Sequence, residues 1–348
     1  MGRDLTKSAH EGRHHEESIV VSNDNLIDRG WSKGTVAFPD LRKGSIGLCF
    51  ANLIAHVGMG YADDFGPTFR SPDNAFASAS GQLSYYQLMD RRGELTIVTD
   101  LDDLQQHVEA WNKPGDDDNP IGPGIVIGME GADPVLSPNN LDLWWDKGLR
   151  IISLVHYGIG RYAHGTGSSG GLLDRGRELL RAMQAKGFIL DTTHLAERAF
   201  WEALEVFDGP VIASHNNCRA LVPGDRQFTD EQIKALADRD AVIGVALDNW
   251  MLNRELKEGK KDKGGASLED VADHIDHICD VSGGSRVAAI GTDLDGGFGA
   301  EQSPREIDTI ADLQKLASVL EDRGYDDGEI EDVFYRNWLR KLESAWKD

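Results

Sequence analysis

Short apolar runs alternate along this chain with stretches whose apolar positions recur at helical spacing. The apolar runs predict strands over 19–24, 46–53, 124–129, 151–156, 188–192, 210–214, 241–247 and 287–292. Between them, helical patterns cover 71–91, 139–147, 173–186, 196–206, 229–238 and 267–280. The strands are brief and bounded by Gly, Pro or Asp, the pattern of parallel strands covered on both faces. Repeated βα units in one chain predict an α/β fold of the (β/α)8 TIM-barrel kind. A doubly wound sheet would carry a Gly-rich turn after its first strand, and none is present. Two long loops, 157–171 and 253–267, follow the fourth and seventh strands and fall on the C-terminal face. Helices over 304–321 and 327–346 would complete the outer ring. Residues 1–17 are polar and charged and read as a disordered tail, leaving 18–348 as a single barrel domain.

Composition narrows the partners. The 348 residues include 36 basic and 59 acidic side chains, a formal net charge of -23. A nucleic-acid partner needs a basic footprint, so none is expected. No apolar run reaches the roughly 18 residues of a membrane span. The start "MGRDLT" formally matches a myristoylation pattern, which is too short to weigh much. Cys49, Cys218 and Cys279 lack CxxC spacing and fit a reducing, cytoplasmic setting better than a disulfide framework.

The chemistry lies at the strand ends. "IVIGMEG" ends the third strand at Glu130, "IISLVHYG" the fourth at His156 and "FILDTTHL" the fifth at His194. "PVIASHNN" ends the sixth at His215, and "VAAIGTDLDGG" the eighth at Asp293. In a barrel these ends converge on one mouth. One Glu and two His form a three-ligand zinc set with an open fourth position. Such a site lowers the pKa of water and polarises a carbonyl. Each residue alone is more often an ordinary hydrogen-bonding group, and it is the joint placement that carries weight. Asp295 reads as the turn cap of "DLDGG". Thr229 and Gln232 have capping-box spacing. Arg226 stands just ahead of that cap, placed to hold a carboxylate by two parallel hydrogen bonds. His274 and His277 in "DHIDH" precede the eighth strand and read as helix surface. The HHEE tract at 14–17 reads as tail, and His164 as a lid residue or nothing.

These pieces resemble the renal, or membrane, dipeptidase family (peptidase family M19). The likeness runs in order through "MEG", "SLVHYG", "GRELLRAMQAKGFILDTTHLAERAFWEAL", "PVIASHNNCRALV", "DRQFTDEQIKAL" and "DHIDHICDVSGGSRVAAIGTDLDG", over about residues 18 to 345. It implies a (β/α)8 barrel with two zinc ions that cleaves dipeptides, and a homodimer. It implies that Glu130 bridges the metals and that His194 and His215 complete one site. His156 would bind substrate or stabilise its tetrahedral intermediate, and Arg226 would hold the substrate carboxylate. Asp293 would belong to the other metal site and handle the proton.

Two departures change the expectation. The family opens with an Asp-Gly-His-Asn-Asp-Leu-like stretch, where this chain has "SNDNLI". In one register the His–Asp pair becomes Asn23 and Asn25, in the other Asp24 and Leu26. A family tyrosine is replaced by Asp248 in "GVALDNW", which puts a carboxylate near the substrate. Two zinc ions about 3.5–4 Å apart repel by on the order of 20 kcal/mol at an effective dielectric near 20. Asn is a poor replacement for the anionic ligands that offset this. The expectation is therefore a zinc hydrolase with one tight metal per chain, its second site weak or absent. It would act on dipeptides or related amides with a free carboxylate. A binuclear dipeptidase with Asp24 helping to hold the second metal is one alternative. A non-catalytic barrel that binds an amino-acid or peptide-like ligand is the other.

Overall fold

The computed structural model describes residues 3–13, 33–58, 68–113, 121–256 and 263–347. The expected opening strand 19–24, with Asp24, and the HHEE tract lie outside them. By contact the chain divides into two compact units. The first comprises Met1–Ile46, His215–Asp238 and Val242–Trp338; the second comprises Gly47–Ser214, Arg239–Ala241 and Leu339–Asp348.

The second unit is built on a parallel sheet. Strands β1 (Leu48–Ile54), β5 (Gly124–Glu130), β6 (Leu149–Ser153), β7 (Ile189–Asp191) and β8 (Val211–Ile212) follow one another in hydrogen-bonded order. A short pair, β2 (His56–Val57) and β3 (Thr68–Phe69), stands apart from it. Strand β5 is the keel. All of its residues are buried, as expected where helices cover both faces of a sheet. It pairs with β1 from Leu48↔Gly124 to Ile54↔Glu130. Its other edge takes β4 (Thr96–Ile97) first and then β6 from Ile127 onward. Helices cross between the strands. Asp174–Lys186 buries Leu179, Leu180 and Met183 and stops at left-handed Gly187, φ 89°, the usual helix-ending conformation.

The first unit contains the parallel pair β9 (Ile243–Val245) and β10 (Ala288–Ile290). They are joined through helix Leu268–Ser282, which a Ser267/Asp270 capping box opens. No helix among the described residues is long and apolar enough to cross a membrane.

The strand and helix expectations agree with what is described, with exceptions of clear origin. Strands β2, β3 and β4, each two residues long, and helices Phe38–Lys43, Leu101–Trp111 and Asn249–Leu252 were not expected; the start of Leu101–Trp111 is set by the Asp100 carboxylate accepting from Asp103 N, and the helix expected over 304–321 begins only at Ile310. Residues 3–13 are bonded to other parts of the first unit. Leu5 O accepts from Phe38 N at 2.9 Å, and Ala9 N donates to Asp40 Oδ2 at 2.6 Å. Arg13 donates to Gly34 O, Asp308 Oδ1 and Asp308 O. The Arg13 charge finds its partner 295 residues away in sequence.

Candidate metal centre

Glu130 is the last residue of β5, so the buried strand fixes its position. His156 and His194 each stand three residues beyond a strand, β6 and β7 respectively. His194 has left-handed backbone, φ 67°, a conformation that non-glycine residues hold mostly where surrounding bonds impose it. The bonds are present. Thr166 N donates to His194 O at 2.9 Å, and Thr166 Oγ1 lies 3.0 Å from His194 Nδ1. With Nδ1 engaged, Nε2 is left towards Glu130, 3.3 Å from Oε1. His156 Nε2 lies 3.7 Å from the same oxygen. The His156 ring stacks on His56, centroids 4.9 Å apart and planes nearly parallel.

His215 follows Ser214 directly at the end of β8. Ser214 is anchored on Asp191, its N donating to Oδ1 at 3.0 Å and its Oγ to Oδ2 at 2.5 Å. The ligand atoms of Glu130, His194 and His215 lie within 4.8 Å of one another, and all three residues are buried. One carboxylate and two imidazoles from the ends of β5, β7 and β8 suit a divalent cation. The Thr166 hydroxyl supplies the outer-shell partner that such an imidazole commonly has.

Asp293 follows β10 in left-handed conformation, φ 56°, with Oδ2 4.0 Å from His215 Nε2. Arg226 is buried; it donates through one terminal nitrogen to Asn216 Oδ1 and through the other to His215 O at 2.9 Å. In this structure it therefore braces the backbone of a metal-ligand candidate. The Thr229/Gln232 capping box after it is present in both directions. Asp248 is buried at the head of the short helix Asn249–Leu252. Its Oδ1 accepts from Gln302 Nε2 at 2.7 Å and its Oδ2 from Trp250 Nε1 at 2.8 Å. Burial, with the Asp293 charge adding to it, pushes its carboxyl up to about 7. Asp248 is therefore harder to ionise than an exposed aspartate.

Three supporting residues escaped sequence reasoning. His56 carries the strand-end signature, a His two residues past β1, and was passed over inside "ANLIAHVG". Thr166 and Gln302 have no signal of their own. Among the decoys, His277 pairs with Asp230 at 2.7 Å, and His164 Nδ1 lies 3.2 Å from Ser168 Oγ. The surface reading of His274 is corrected: it is fully buried, and its Nδ1 accepts from Cys218 N at 3.1 Å. Burial lowers its pKa from 6.5 to about 4, with the nearby His277 adding and Asp270 opposing. The unfolded chain therefore binds this proton more readily than the native one. The associated stability is full above about pH 6.5 and is lost at about 1.4 kcal/mol per unit as pH falls towards 4. Thermal unfolding of wild type and His274→Gln across pH 4–8 checks this, with the variant expected to lose the steeper part of the acid slope.

The profile of the membrane dipeptidase family (peptidase family M19) matches residues 15–347. A Klebsiella pneumoniae relative, an uncharacterized protein in the pqqA 5' region, is 33% identical over 177 residues, 51% of this chain and 62% of its own. Dipeptidase aclJ of Aspergillus oryzae is 25% identical over 323 residues, 91% of this chain and 72% of its own. The segment shared with the Klebsiella relative and with an Acinetobacter calcoaceticus protein spans only about three fifths of each, 62% and 60%. Among solved structures, a metallo peptidase from Rhodobacter sphaeroides, liganded with a phosphinate mimic of the dipeptide L-Ala-D-Ala, superposes with TM-score 0.77. That match is 21% identical and covers 97% of this chain and 95% of the other. The likeness is one of fold, parallel α/β and TIM-barrel-like.

Proposed function

The chain belongs to the membrane dipeptidase family, peptidase family M19, and from that premise we propose that it is a zinc-dependent hydrolase of dipeptides or related amides bearing a free carboxylate. The observation that carries this is the buried Glu130, His194 and His215 set, its ligand atoms within 4.8 Å of one another. On this reading residues 18–348 form one catalytic (β/α)8 domain working as a homodimer in the cytoplasm, a setting in keeping with free Cys49, Cys218 and Cys279.

Glu130, His194 and His215 would hold one tight zinc ion. Zinc, when bound, polarises the scissile carbonyl and acidifies water. Asp293 takes a proton from the attacking water at a carboxylate oxygen and returns it to the leaving amine. His156, held flat against His56, donates to the oxygen on which negative charge develops. Arg226 offers its remaining N–H groups to the substrate carboxylate. Asp248, fixed by Gln302 and Trp250, selects for an amine-bearing substrate.

Elemental analysis of purified protein, paired with hydrolysis of L,L- and L,D-dipeptides and N-acyl amino acids, tests the reading. One tight ion and cleavage of at least one class are expected. Two tight ions would favour the binuclear alternative with Asp24 and Asp293. No ion and no cleavage in folded protein would leave the non-catalytic alternative. Two variants refine the roles. His156→Ala should keep its metal and lose about 10²–10³ in kcat, the scale of one oxyanion donor. Asp248→Asn should weaken the preference for substrates with a free amine; an unchanged preference removes Asp248 from the specificity argument.

A further inference from the structure

Asp293 sits in a turn of unusual backbone. Both it and Asp295 are left-handed, at φ 56° and 66°, a conformation that disfavours every L-residue and that Asp tolerates better than most. Two such residues within three positions persist only where the surroundings over-determine them. Behind Asp293 the fit is close: a Cβ at Gly296 would fall 1.9 Å from Asp293 Oδ1, and Gly296 N donates to Asp293 O at 2.8 Å.

What holds the turn is a strap from a distant part of the sequence. Asp295 Oδ1 accepts from both Thr35 N and Thr35 Oγ1 at 2.9 Å, and its Oδ2 accepts from Val36 N at 3.1 Å. Arg3 adds an ion pair to Oδ2 at 3.0 Å. The strap continues down the loop, where Ala300 N donates to Lys33 O at 3.0 Å and Lys33 N to Glu301 Oε2 at 2.8 Å. On its other side Ile310 N donates to Thr35 O at 2.9 Å. Asp295 is thus the node where residues 33–36 and the N-terminal segment meet the turn that aims Asp293.

We propose that Asp295, clamped by Thr35, Val36 and Arg3, is a positioning residue for Asp293, which makes the N-terminal segment a working part of the site. The catalytic half of the proposal rests on the hydrolase reading above; the mechanical half does not. Asp295→Asn keeps an acceptor for Thr35 and tolerance of left-handed backbone, but it presents an amide N–H₂ to Val36 N and Arg3.

The experiment measures three quantities on full-length protein: kcat and KM for a cleaved dipeptide, bound metal, and hydrogen-exchange protection of the Gly296 amide. Asp295→Asn should lose about 10–100-fold in kcat, the scale of misplacing a reacting group by about an ångström. Its KM should stay within about twofold and its metal content should not change. Gly296 protection should fall. Arg3→Ala, at a partly exposed side chain, should show the same pattern in weaker form, and Arg3→Lys should restore it. Wild-type kcat and wild-type Gly296 protection in both Asp295→Asn and Arg3→Ala would overturn the proposal. So would a kcat loss that only tracks the folded fraction. Should Asp295→Asn fail to fold, the Arg3 pair decides alone. Should wild type cleave none of the substrates, the hydrolase reading fails, and Gly296 protection in the variants still judges the clamp.

Discussion

His194→Ala protein should purify without its tightly bound divalent ion and lose at least about a thousandfold in kcat/KM. The magnitude follows from the several kcal/mol of charge stabilisation that a Lewis-acidic ion supplies, at about tenfold per 1.36 kcal/mol. The expectation is specific to His194 because its Nε2 faces Glu130 Oε1 at 3.3 Å while Thr166 occupies its other nitrogen. Alanine is a blunt substitution at a left-handed position, φ 67°. His194→Asn is the better companion, since Asn tolerates that backbone and removes the imidazole. Elemental analysis and circular dichroism on both variants separate lost metal from lost fold. Wild-type metal affinity in either folded variant would remove His194 from the ligand set.

Asp293→Asn should lose about 10²–10⁴ in kcat, the range for a positioned general base, and retain one ion. Asparagine preserves the left-handed turn and the shape packed against Gly296, so the fold should be unaffected. The metal count makes this variant informative. In a mononuclear centre Asp293 moves protons and its amide leaves the metal in place. In a binuclear centre it is a ligand, and one of two ions should be lost along with the activity. Its distance of 4.0 Å from His215 Nε2 places the carboxylate beside the ligand set and suits either role, so the ion count decides.

The strand ends were the most legible part of this protein. Glu130 closes the apolar run of β5, and His194 and His215 each follow β7 and β8 by three residues, a placement readable from the strand pattern. Helix boundaries such as Thr229/Gln232 were legible because capping is local. Three kinds of feature were not. Strand β4 is two residues long, too short for any periodicity. The docking of residues 3–13 depends on Asp40 and Asp308, and no local pattern announces a partner 295 residues away. The charge state of Asp248 and the burial of His274 depend on what surrounds them in space. A sequence displays the carboxyl and the imidazole but not the water that folding removes from them. The opening stretch around Asp24 raised the question of one metal or two, and ion counting on the purified protein answers it.

The loop 157–171 bears on how this protein can be changed. It is laced by bridges between Tyr157 and Thr166, Ile159 and His164, and Ala163 and Leu172, and it is stitched to Leu195 through Gly165. A Cβ at Gly165 would lie 2.0 Å from the His156 carbonyl oxygen. A side chain at Gly165 would therefore push directly on the backbone of His156, whereas Gly158 and Gly167 face open space.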